Sequence, residues 1–384
     1  ELFGGLRVES GVRRAYHAEG NDTLSSLLGY TGVISAEEYE TRREMGYRQI
    51  DLLGKIGIER SYEEILRGFP GERSVEVDAI GREQVILSQR EAVDGSNLVL
   101  HIDAELQAYI EQKLDELSER TGIRNASVVA LDPRNGGVRA LVSYPGYDAN
   151  AFTGRIDPEV YAGLVENEAR PLFTRAYSGQ YPSGSTFKPI VAALALDEGV
   201  IEPTTRILST GGISIGQFYF PDWKAGGHGS VTVREAIAES VNTFFYVIGG
   251  GWRDLPGLGF GEPLGLDVPN EASGFLPTVA WKNEVKNEPW YIGDTYHVAI
   301  GQGDILVTPL QVAAFTSVFA NDGVLDQPQV VDGWETQGKW HDAAPVVLES
   351  NPASKEAIQV VKDGLRETVT YGSGVRLRSL PVTA

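Results

Sequence analysis

The sequence predicts an α+β protein in which helices flank an antiparallel sheet, preceded by a smaller module of mixed α/β character. Two segments have the pattern of β-hairpins, because short alternating apolar runs are joined by turn residues. Apolar helical runs follow the second hairpin. Strands first and helices afterwards is an order typical of the α+β class.

The first predicted domain comprises residues 1–95. It is rich in charged residues and contains the runs "RSVEVDAIG" (73–81) and "EQVILSQRE" (83–91), which predict a hairpin around Gly81 and Arg82. We expect a small mixed α/β module that carries none of the catalytic motifs.

The second predicted domain comprises residues 96–384. Its first segment, "NLVLHIDAELQAYIEQKLDELSERTG", predicts a short strand and then a helix that ends at Gly122. The second hairpin follows, with its turn at Pro133 to Gly137. The apolar pattern then predicts helices at about 157–166, 187–198, 232–247, 308–320 and 353–368.

The composition excludes several kinds of function. The chain of 384 residues has a formal net charge of −20, and an acidic protein repels phosphate, so we expect no nucleic-acid partner. It contains no cysteine, which rules out a disulfide framework, a thiolate nucleophile and a cysteine-ligated zinc site. No stretch reaches the roughly 20 apolar residues of a membrane-spanning helix. We expect any membrane anchor to lie outside this chain, which begins at Glu1.

The stretch "YPSGSTFKP" (181–189) places a serine and a lysine at the start of a predicted buried helix. Gly184 and the flanking prolines indicate a tight turn ahead of that helix. Ser185 is expected at the helix N-terminus, and Lys188 lies three residues on, where the two side chains can touch. The helix dipole favours an alkoxide on Ser185. Apolar neighbours would lower the pKa of Lys188, which suits a general base.

A structural interpretation of these residues stays open at this point, with Ser185 as a helix cap and Lys188 as a solvated surface charge. Two other serines are rejected as nucleophiles. Ser183 has threonine, not lysine, at the third following position. Ser214 lies in "GISIG", but "QFYFPDW" follows it, so the strand-to-helix turn of a nucleophile elbow is missing.

A second polar motif interrupts the apolar helical run "REAIAESVNTFFYVIGG". Ser240 and Asn242 are poor helix formers and would normally be excluded from a core, although they could simply cap the helix that follows. Together with Ser185 and Lys188 they supply a nucleophile, a base, a hydroxyl that can relay a proton and an amide that can hold a substrate. Acyl transfer requires this set of groups.

These motifs and several longer segments resemble a known family. The order S-x-x-K and then S-x-N is that of penicillin-binding proteins and serine β-lactamases. The transpeptidase domain of class B penicillin-binding proteins is similar to "ALDPRNGGVRALVSYPGYDAN", "TRAYSGQYPSGSTFKP" and "IGQGDILVTPLQVAAF". Their N-terminal pedestal is similar to "GKIGIERSYEEILRG", and "FYFPDWKAGGHGSVTVREAI" looks most like penicillin-binding protein 2 of the elongation machinery.

The resemblance implies a peptidoglycan D,D-transpeptidase that forms a serine acyl-enzyme and binds β-lactams. It assigns the nucleophile to Ser185, the general base to Lys188, a proton shuttle to Ser240 and binding of the substrate amide to Asn242. It implies no cofactor and no metal. The partners that it implies are the peptidoglycan stem peptide and a membrane glycosyltransferase of the SEDS type, RodA-like. The location would be the bacterial cell membrane, through a single-pass anchor absent from this chain, with the catalytic domain outside the cytoplasmic membrane, in the periplasm of a cell that has one.

The chain departs from the family pattern in three places. The Lys-Thr/Ser-Gly motif is not found, and the chain ends at Ala384 in the stretch that precedes this motif in relatives, which we interpret as truncation. Relatives carry about one more helix between Gly259 and Phe260. Asp222 and His228 lie where some relatives bind zinc, but one carboxylate and one imidazole are too few for a structural zinc site.

Two other functions stay open on the sequence alone. One is a catalytically inactive penicillin-recognising sensor or scaffold subunit, although such sensors lack a pedestal like residues 1–95. The other is a hydrolytic β-lactamase, which would need a carboxylate that activates water.

Overall fold

The computed structural model describes residues 14–17, 22–154, 156–250 and 260–381. In the range of the first predicted domain, short helices and strands are mixed, and the last two strands follow the last two helices. The helices are α1 (Ser25–Leu28), α2 (Ala36–Arg42), α3 (Gly57–Ser61) and α4 (Glu63–Leu66), and the strands are β1 (Thr31–Val33), β2 (Leu52–Gly54), β3 (Glu72–Val77) and β4 (Glu83–Arg90). Strands β3 and β4 form the predicted hairpin, with Gly81 in the left-handed conformation at its turn (φ 77°).

The remainder of the chain contains eleven strands and nine helices among the described residues. The strands are β5 (Asn97–Leu100), β6 (Ala126–Leu131), β7 (Val138–Tyr144), β8 (Ile207–Ser209), β9 (Gly212–Ile215), β10 (Phe218–Pro221), β11 (Gly229–Val231), β12 (Val324–Asp326), β13 (Val331–Thr336), β14 (Lys339–Asp342) and β15 (Val347–Ser350). The helices are α5 (Ala104–Thr121), α6 (Pro158–Glu166), α7 (Lys188–Asp197), α8 (Val233–Ala238), α9 (Asn242–Gly249), α10 (Val279–Trp281), α11 (Ile292–Ala299), α12 (Pro309–Ala320) and α13 (Lys355–Thr370).

All strand ladders in the described part of the chain are antiparallel. They form one three-stranded sheet, β14-β13-β5, and six two-stranded sheets, β1-β2, β3-β4, β6-β7, β8-β11, β9-β10 and β12-β15. The predicted combination of helices with antiparallel strands is confirmed, and both predicted hairpins form. Helix α5 ends where expected, because Gly122 adopts the left-handed conformation (φ 76°) that commonly terminates a helix.

One predicted helix is wrong. The run predicted as a single helix over 232–247 is two helices, α8 and α9, separated at residues 239–241. Ser240 has a φ of 55°, and a residue in the left-handed region breaks the ladder of backbone hydrogen bonds. The apolar pattern continues through the break because both helices bury apolar side chains, so periodicity alone did not show it.

The main hydrophobic core surrounds α7, whose residues from Ile190 to Ala195 are all buried. They pack in one cluster with Phe244 on α9 and Phe315 on α12. The same cluster includes Leu27 and Ile58 from the first predicted domain. The two predicted domains therefore share one core, and α7 lies within it.

No helix in the described ranges is both long enough and apolar enough to cross a bilayer. The point after Gly259 at which relatives carry one more helix adjoins residues 251–259, and the expected truncation concerns the chain end at residues 382–384. Both lie outside the described residues.

Candidate active site

Ser185 lies on a 3-10 turn, Gly184–Phe187, that leads directly into α7. Gly184 adopts a φ of 57°, and its N–H donates to the carbonyl of Gly301 at 2.7 Å. A Cβ on Gly301 would lie only 2.1 Å from the carbonyl oxygen of Gly184, so glycine is required for this close approach. The turn is thus held by its contacts with Gly301, which lies in a distant segment of the chain, and Ser185 itself is exposed.

Lys188 is the first residue of α7 and is only 2% exposed. Its Nζ donates to the carbonyl oxygen of Ser240 at 2.8 Å, to Ser240 Oγ at 3.0 Å and to Asn242 Oδ1 at 2.6 Å. The structure therefore joins three of the four residues singled out in the sequence, and Lys188 is not a solvated surface charge.

Burial lowers the pKa of Lys188 to about 7, while the negative charge of Asp222 opposes this shift. An ammonium group loses its hydration when it is buried, which favours the neutral amine. In the described part of the chain, no carboxylate forms an ion pair with Lys188, and its hydrogen-bond acceptors are neutral. A lysine with a pKa near neutrality can act as a base at physiological pH.

Ser185 and Lys188 face the same cleft, of about 320 Å³, but they are not joined by a hydrogen bond in the described structure. The expected contact between them is not among the described hydrogen bonds, because Lys188 Nζ is turned towards Ser240 and Asn242. The walls of the cleft combine hydroxyl and apolar side chains, among them Thr186, Ile237, Ser240, Phe319, Leu365 and Thr368.

The backbone at Ser240 is strained, which is a frequent property of functional residues. A non-glycine residue in the left-handed region costs on the order of 1–2 kcal/mol. The turn is closed by the N–H of Val241, which donates to the carbonyl of Ala236 at 2.9 Å. It directs both the hydroxyl and the carbonyl of Ser240 at Lys188, which a continuous helix would not do.

Asp222 is a residue that the sequence analysis did not place in the site. Its buried carboxylate accepts hydrogen bonds from the backbone N–H of Asn242 at 3.1 Å and of Thr243 at 3.1 Å, and from Thr243 Oγ1 at 2.8 Å. It therefore caps α9 from a position 20 residues earlier in the chain. Burial opposes its ionisation, but these hydrogen bonds, those of Thr243 above all, lower the pKa of Asp222. No local sequence signal indicates a cap supplied from such a distance.

His228 also belongs to this network, because its Nδ1 lies 2.9 Å from Glu239 Oε2. Its Nε2 lies 3.8 Å from Asp222 Oδ1. In the described ranges, no group of three or more histidine, aspartate or glutamate side chains is arranged to hold a metal ion. Asp222 and His228 connect the segment between β10 and β11 to the Ser240 turn.

The two serines that the sequence analysis rejected as nucleophiles, Ser183 and Ser214, lie in local structures different from that of Ser185. Ser183 Oγ is 3.5 Å from the carbonyl oxygen of Gly301. Ser214 lies on β9 opposite Tyr219 of β10, so its segment runs from strand to strand and not from strand to helix. Neither serine has a lysine partner among the described contacts.

This combination of fold and site is that of the active-site serine enzymes with an S-x-x-K motif. A serine precedes a buried helix, a lysine of lowered pKa begins that helix, and a serine-x-asparagine turn binds the lysine.

Comparison with protein families identifies the group within this class. Residues 126–382 match the penicillin-binding protein transpeptidase domain, and residues 1–100 match the penicillin-binding protein dimerisation domain. The first match covers more than half of the chain. The chain therefore belongs to the penicillin-binding protein transpeptidase family, which confirms the resemblance seen in the sequence.

Individual relatives agree with this assignment. The peptidoglycan D,D-transpeptidase MrdA of Acinetobacter baumannii is 35% identical over 98% of this chain and 56% of its own length. The penicillin-binding protein PBP2 of Helicobacter pylori, solved in complex with MreC, superposes with a TM-score of 0.83 at 32% identity, over 97% of this chain and 68% of that chain. A chain of a peptidoglycan synthase complex that coordinates polymerisation and crosslinking has a TM-score of 0.78 at 33% identity, over 94% of this chain and 63% of that chain. This chain spans about half the length of the curated relatives it matches.

Proposed function

We propose that this chain belongs to a peptidoglycan D,D-transpeptidase that crosslinks stem peptides during cell-wall elongation and binds penicillin. The observation that carries the proposal is the buried Lys188, whose amine has a pKa of about 7 and contacts both Ser240 and Asn242 in the cleft that Ser185 faces. The similarity to MrdA supports this substrate class.

In the acylation step, Ser185 Oγ attacks the carbonyl carbon of the penultimate D-alanine. A carbon–oxygen bond forms, the carbon–nitrogen bond to the terminal D-alanine breaks, and the leaving amine takes up a proton. Neutral Lys188 accepts the proton of Ser185, and Ser240 relays a proton to the leaving amine. The 3.0 Å contact between Lys188 Nζ and Ser240 Oγ supports this relay.

In the second step, the amine of an acceptor stem peptide attacks the ester, and its proton returns through the same groups to Ser185. Asn242 is proposed to hold the substrate amide with its side chain, whose Oδ1 is oriented by Lys188. The backbone N–H of Ser185, on the turn before α7, is proposed as one donor to the developing oxyanion. No cofactor takes part in this chemistry.

We also propose that residues 1–95 and residues 96–384 have different roles. The catalytic motifs all lie in the second domain, and the first is proposed to bind a membrane glycosyltransferase of the SEDS type, RodA-like. The relatives solved with MreC and within a peptidoglycan synthase complex support a role in assembly. For the whole protein we propose a membrane-anchored location with the catalytic domain outside the cytoplasmic membrane.

The proposal is tested by incubating the purified protein with a fluorescent penicillin and mapping the labelled peptide. We expect a single adduct on Ser185, no adduct in Ser185→Ala, and normal labelling in the control Ser183→Ala. An adduct on Ser183 or Ser214 would contradict the assignment. Rapid release of the label would indicate a β-lactamase. A stable adduct without turnover of a D-Ala-D-Ala peptide, in the presence of an acceptor amine, would indicate a sensor or scaffold.

A further inference from the structure

Trp223 contacts the Ser240 turn although it belongs to none of the catalytic motifs. It lies two residues after the end of β10 and is 60% exposed. Its indole Nε1 donates to the carbonyl oxygen of Glu239 at 2.9 Å. Its own backbone N–H donates to Asp222 Oδ1 at 3.0 Å, and its ring meets the imidazole of His228 edge-on at 5.3 Å between centroids. The side chain is thus held in one orientation despite its exposure.

The carbonyl of Glu239 belongs to the peptide plane that joins Glu239 to Ser240. Because a peptide unit is planar, fixing the direction of this carbonyl also fixes the N–H of Ser240 and the starting point of its φ rotation. Ser240 occupies the left-handed region, which the backbone leaves unless its surroundings hold it there. A hydrogen bond to this particular carbonyl therefore acts on the strained torsion itself.

The Glu239–Ser240 peptide plane is also held through its N–H, which donates to the carbonyl of Ile237 at 3.2 Å, and the remaining contacts hold the ends of the turn. Asp222 accepts from the N–H of Asn242, after the strained residue, and Ser373 donates its N–H to the carbonyl of Ala238, before it, at 2.9 Å. His228 contacts the side chain of Glu239 and not its backbone. In the described structure, the Trp223 indole is the side-chain donor to the carbonyl of Glu239.

We propose that Trp223 is a positioning residue for Ser240: its indole N–H fixes the Glu239–Ser240 peptide plane and so keeps the Ser240 hydroxyl directed at Lys188. Trp223 does not touch the reacting atoms in this account, and it acts only through Ser240. The inference rests on the proposed function, in which Ser240 relays a proton during acylation.

The test is a double-mutant cycle with Trp223→Phe and Ser240→Ala, in which the rate constant of acylation by a fluorescent penicillin is measured at saturation. Phenylalanine keeps an aromatic ring and removes the N–H donor. Trp340→Phe is the matched control, because Trp340 is also a partly exposed tryptophan whose Nε1 donates to an oxygen, that of Asp342, on the distant strand β14. A crystal structure of Trp223→Phe gives a readout that does not depend on activity.

We expect Trp223→Phe to lower the acylation rate constant about fivefold to tenfold, the usual effect of one hydrogen bond. In the Ser240→Ala background we expect the same change to lower it less than about twofold, since the hydroxyl to be positioned is already gone. The dissociation constant of the initial penicillin complex should stay within about twofold, because the indole does not hold substrate. Trp340→Phe should change neither constant, and the crystal structure of Trp223→Phe should show Ser240 outside the left-handed region or its hydroxyl turned away from Lys188.

The proposal is overturned if the acylation rate constant of Trp223→Phe equals that of the wild type. It is also overturned if the rate falls by the same factor in both backgrounds, or if only the melting temperature changes. An unaltered Ser240 turn in the crystal structure of the variant contradicts it independently of any rate. A wild-type protein that penicillin does not acylate at all contradicts the proposed function instead, and the inference then falls with it.

Discussion

Two lysines of this protein are almost completely buried, yet their surroundings differ. Lys188 is 2% exposed and its Nζ contacts a hydroxyl, a backbone carbonyl and an amide oxygen. Lys282 is 5% exposed, and its Nζ lies 2.6 Å from Asp294 Oδ2 and 3.8 Å from Glu288 Oε2. One ammonium group meets neutral oxygens, and the other meets carboxylates.

This difference supports the proposal that Lys188 is a reactive lysine and Lys282 a structural one. Burial without a carboxylate at hydrogen-bonding distance favours the neutral amine, and burial is the cause of the lowered pKa of Lys188, which the charge of Asp222 opposes only in part. Carboxylates at hydrogen-bonding distance offset the desolvation of a cation, so Lys282 serves to connect the segment at 282–288 to α11. Burial alone therefore does not identify a catalytic lysine, and the chemistry of its acceptors does.

The same substitution, made at each of the two lysines in turn, should distinguish their roles most clearly. Lys188→Met is expected to lower the rate of acylation of Ser185 by about 100-fold or more, because it removes a positioned general base. Lys282→Met, as the control, should leave that rate within about twofold. The rates are measured with a fluorescent penicillin. Acylation of Lys188→Met at the wild-type rate would show that Lys188 is not the base.

The pH dependence of acylation should show the lowered pKa directly. A base works in its deprotonated form, and Lys188 loses its proton as the pH rises through about 7. The acylation rate should therefore rise roughly tenfold between about pH 6 and pH 8. Lys282→Met should not move the midpoint of this profile. A rate that is flat over this interval, or that falls with rising pH, would contradict the assignment.

The structural lysine should affect stability and not chemistry. Lys282→Met leaves the carboxylate of Asp294, itself about one quarter exposed, without its closest cation, and we expect a loss of about 1–3 kcal/mol in the free energy of unfolding. Denaturant unfolding measures this loss. A double variant that also carries Asp294→Asn should recover part of it, and a double variant less stable than Lys282→Met alone would argue against the ion pair as the cause.

Of the substitutions considered, the one that removes an exposed ion pair should have the smallest effect on stability. Arg73 donates to both carboxylate oxygens of Glu83 at 2.7 Å in the hairpin of β3 and β4, where both side chains are more than 40% exposed. Solvent screens such a pair, so Arg73→Met should lower the free energy of unfolding by less than about 1 kcal/mol. The acylation rate should stay the same. A loss as large as that of Lys282→Met would mean that exposure does not weaken the pair.

The sequence predicted those features of the site that depend on local chain geometry. The turn at Gly184, the buried helix after it and the position of Lys188 at its start all follow from residues within ten positions of one another. The two hairpins and the end of α5 at Gly122 are local in the same sense. Their chemistry and the family resemblance grouped Lys188 with Ser240 and Asn242 in one site, but the contact that was expected is that of Ser185 with Lys188, and the hydrogen bonds from Lys188 to Ser240 and Asn242 were not foreseen.

Features that depend on contacts between distant segments could not be read from the pattern. The break at Ser240 is stabilised by hydrogen bonds from distant segments. Asp222 lies 20 residues from its partner Asn242, Trp223 lies 16 residues from its partner Glu239, and Ser373 lies 135 residues from its partner Ala238. Helical periodicity continues through the break because α8 and α9 bury their apolar faces in the same core. Only the assembled structure shows which hydrogen bonds replace the helical ones.

The left-handed conformation of Ser240 has a consequence for how this position tolerates change. Glycine adopts a φ of 55° at no steric cost, so a library randomised at residue 240 and sorted only for folding should become enriched in glycine. The same library sorted for penicillin labelling should return serine. Selection for stability thus favours glycine at residue 240, and selection for acylation favours serine.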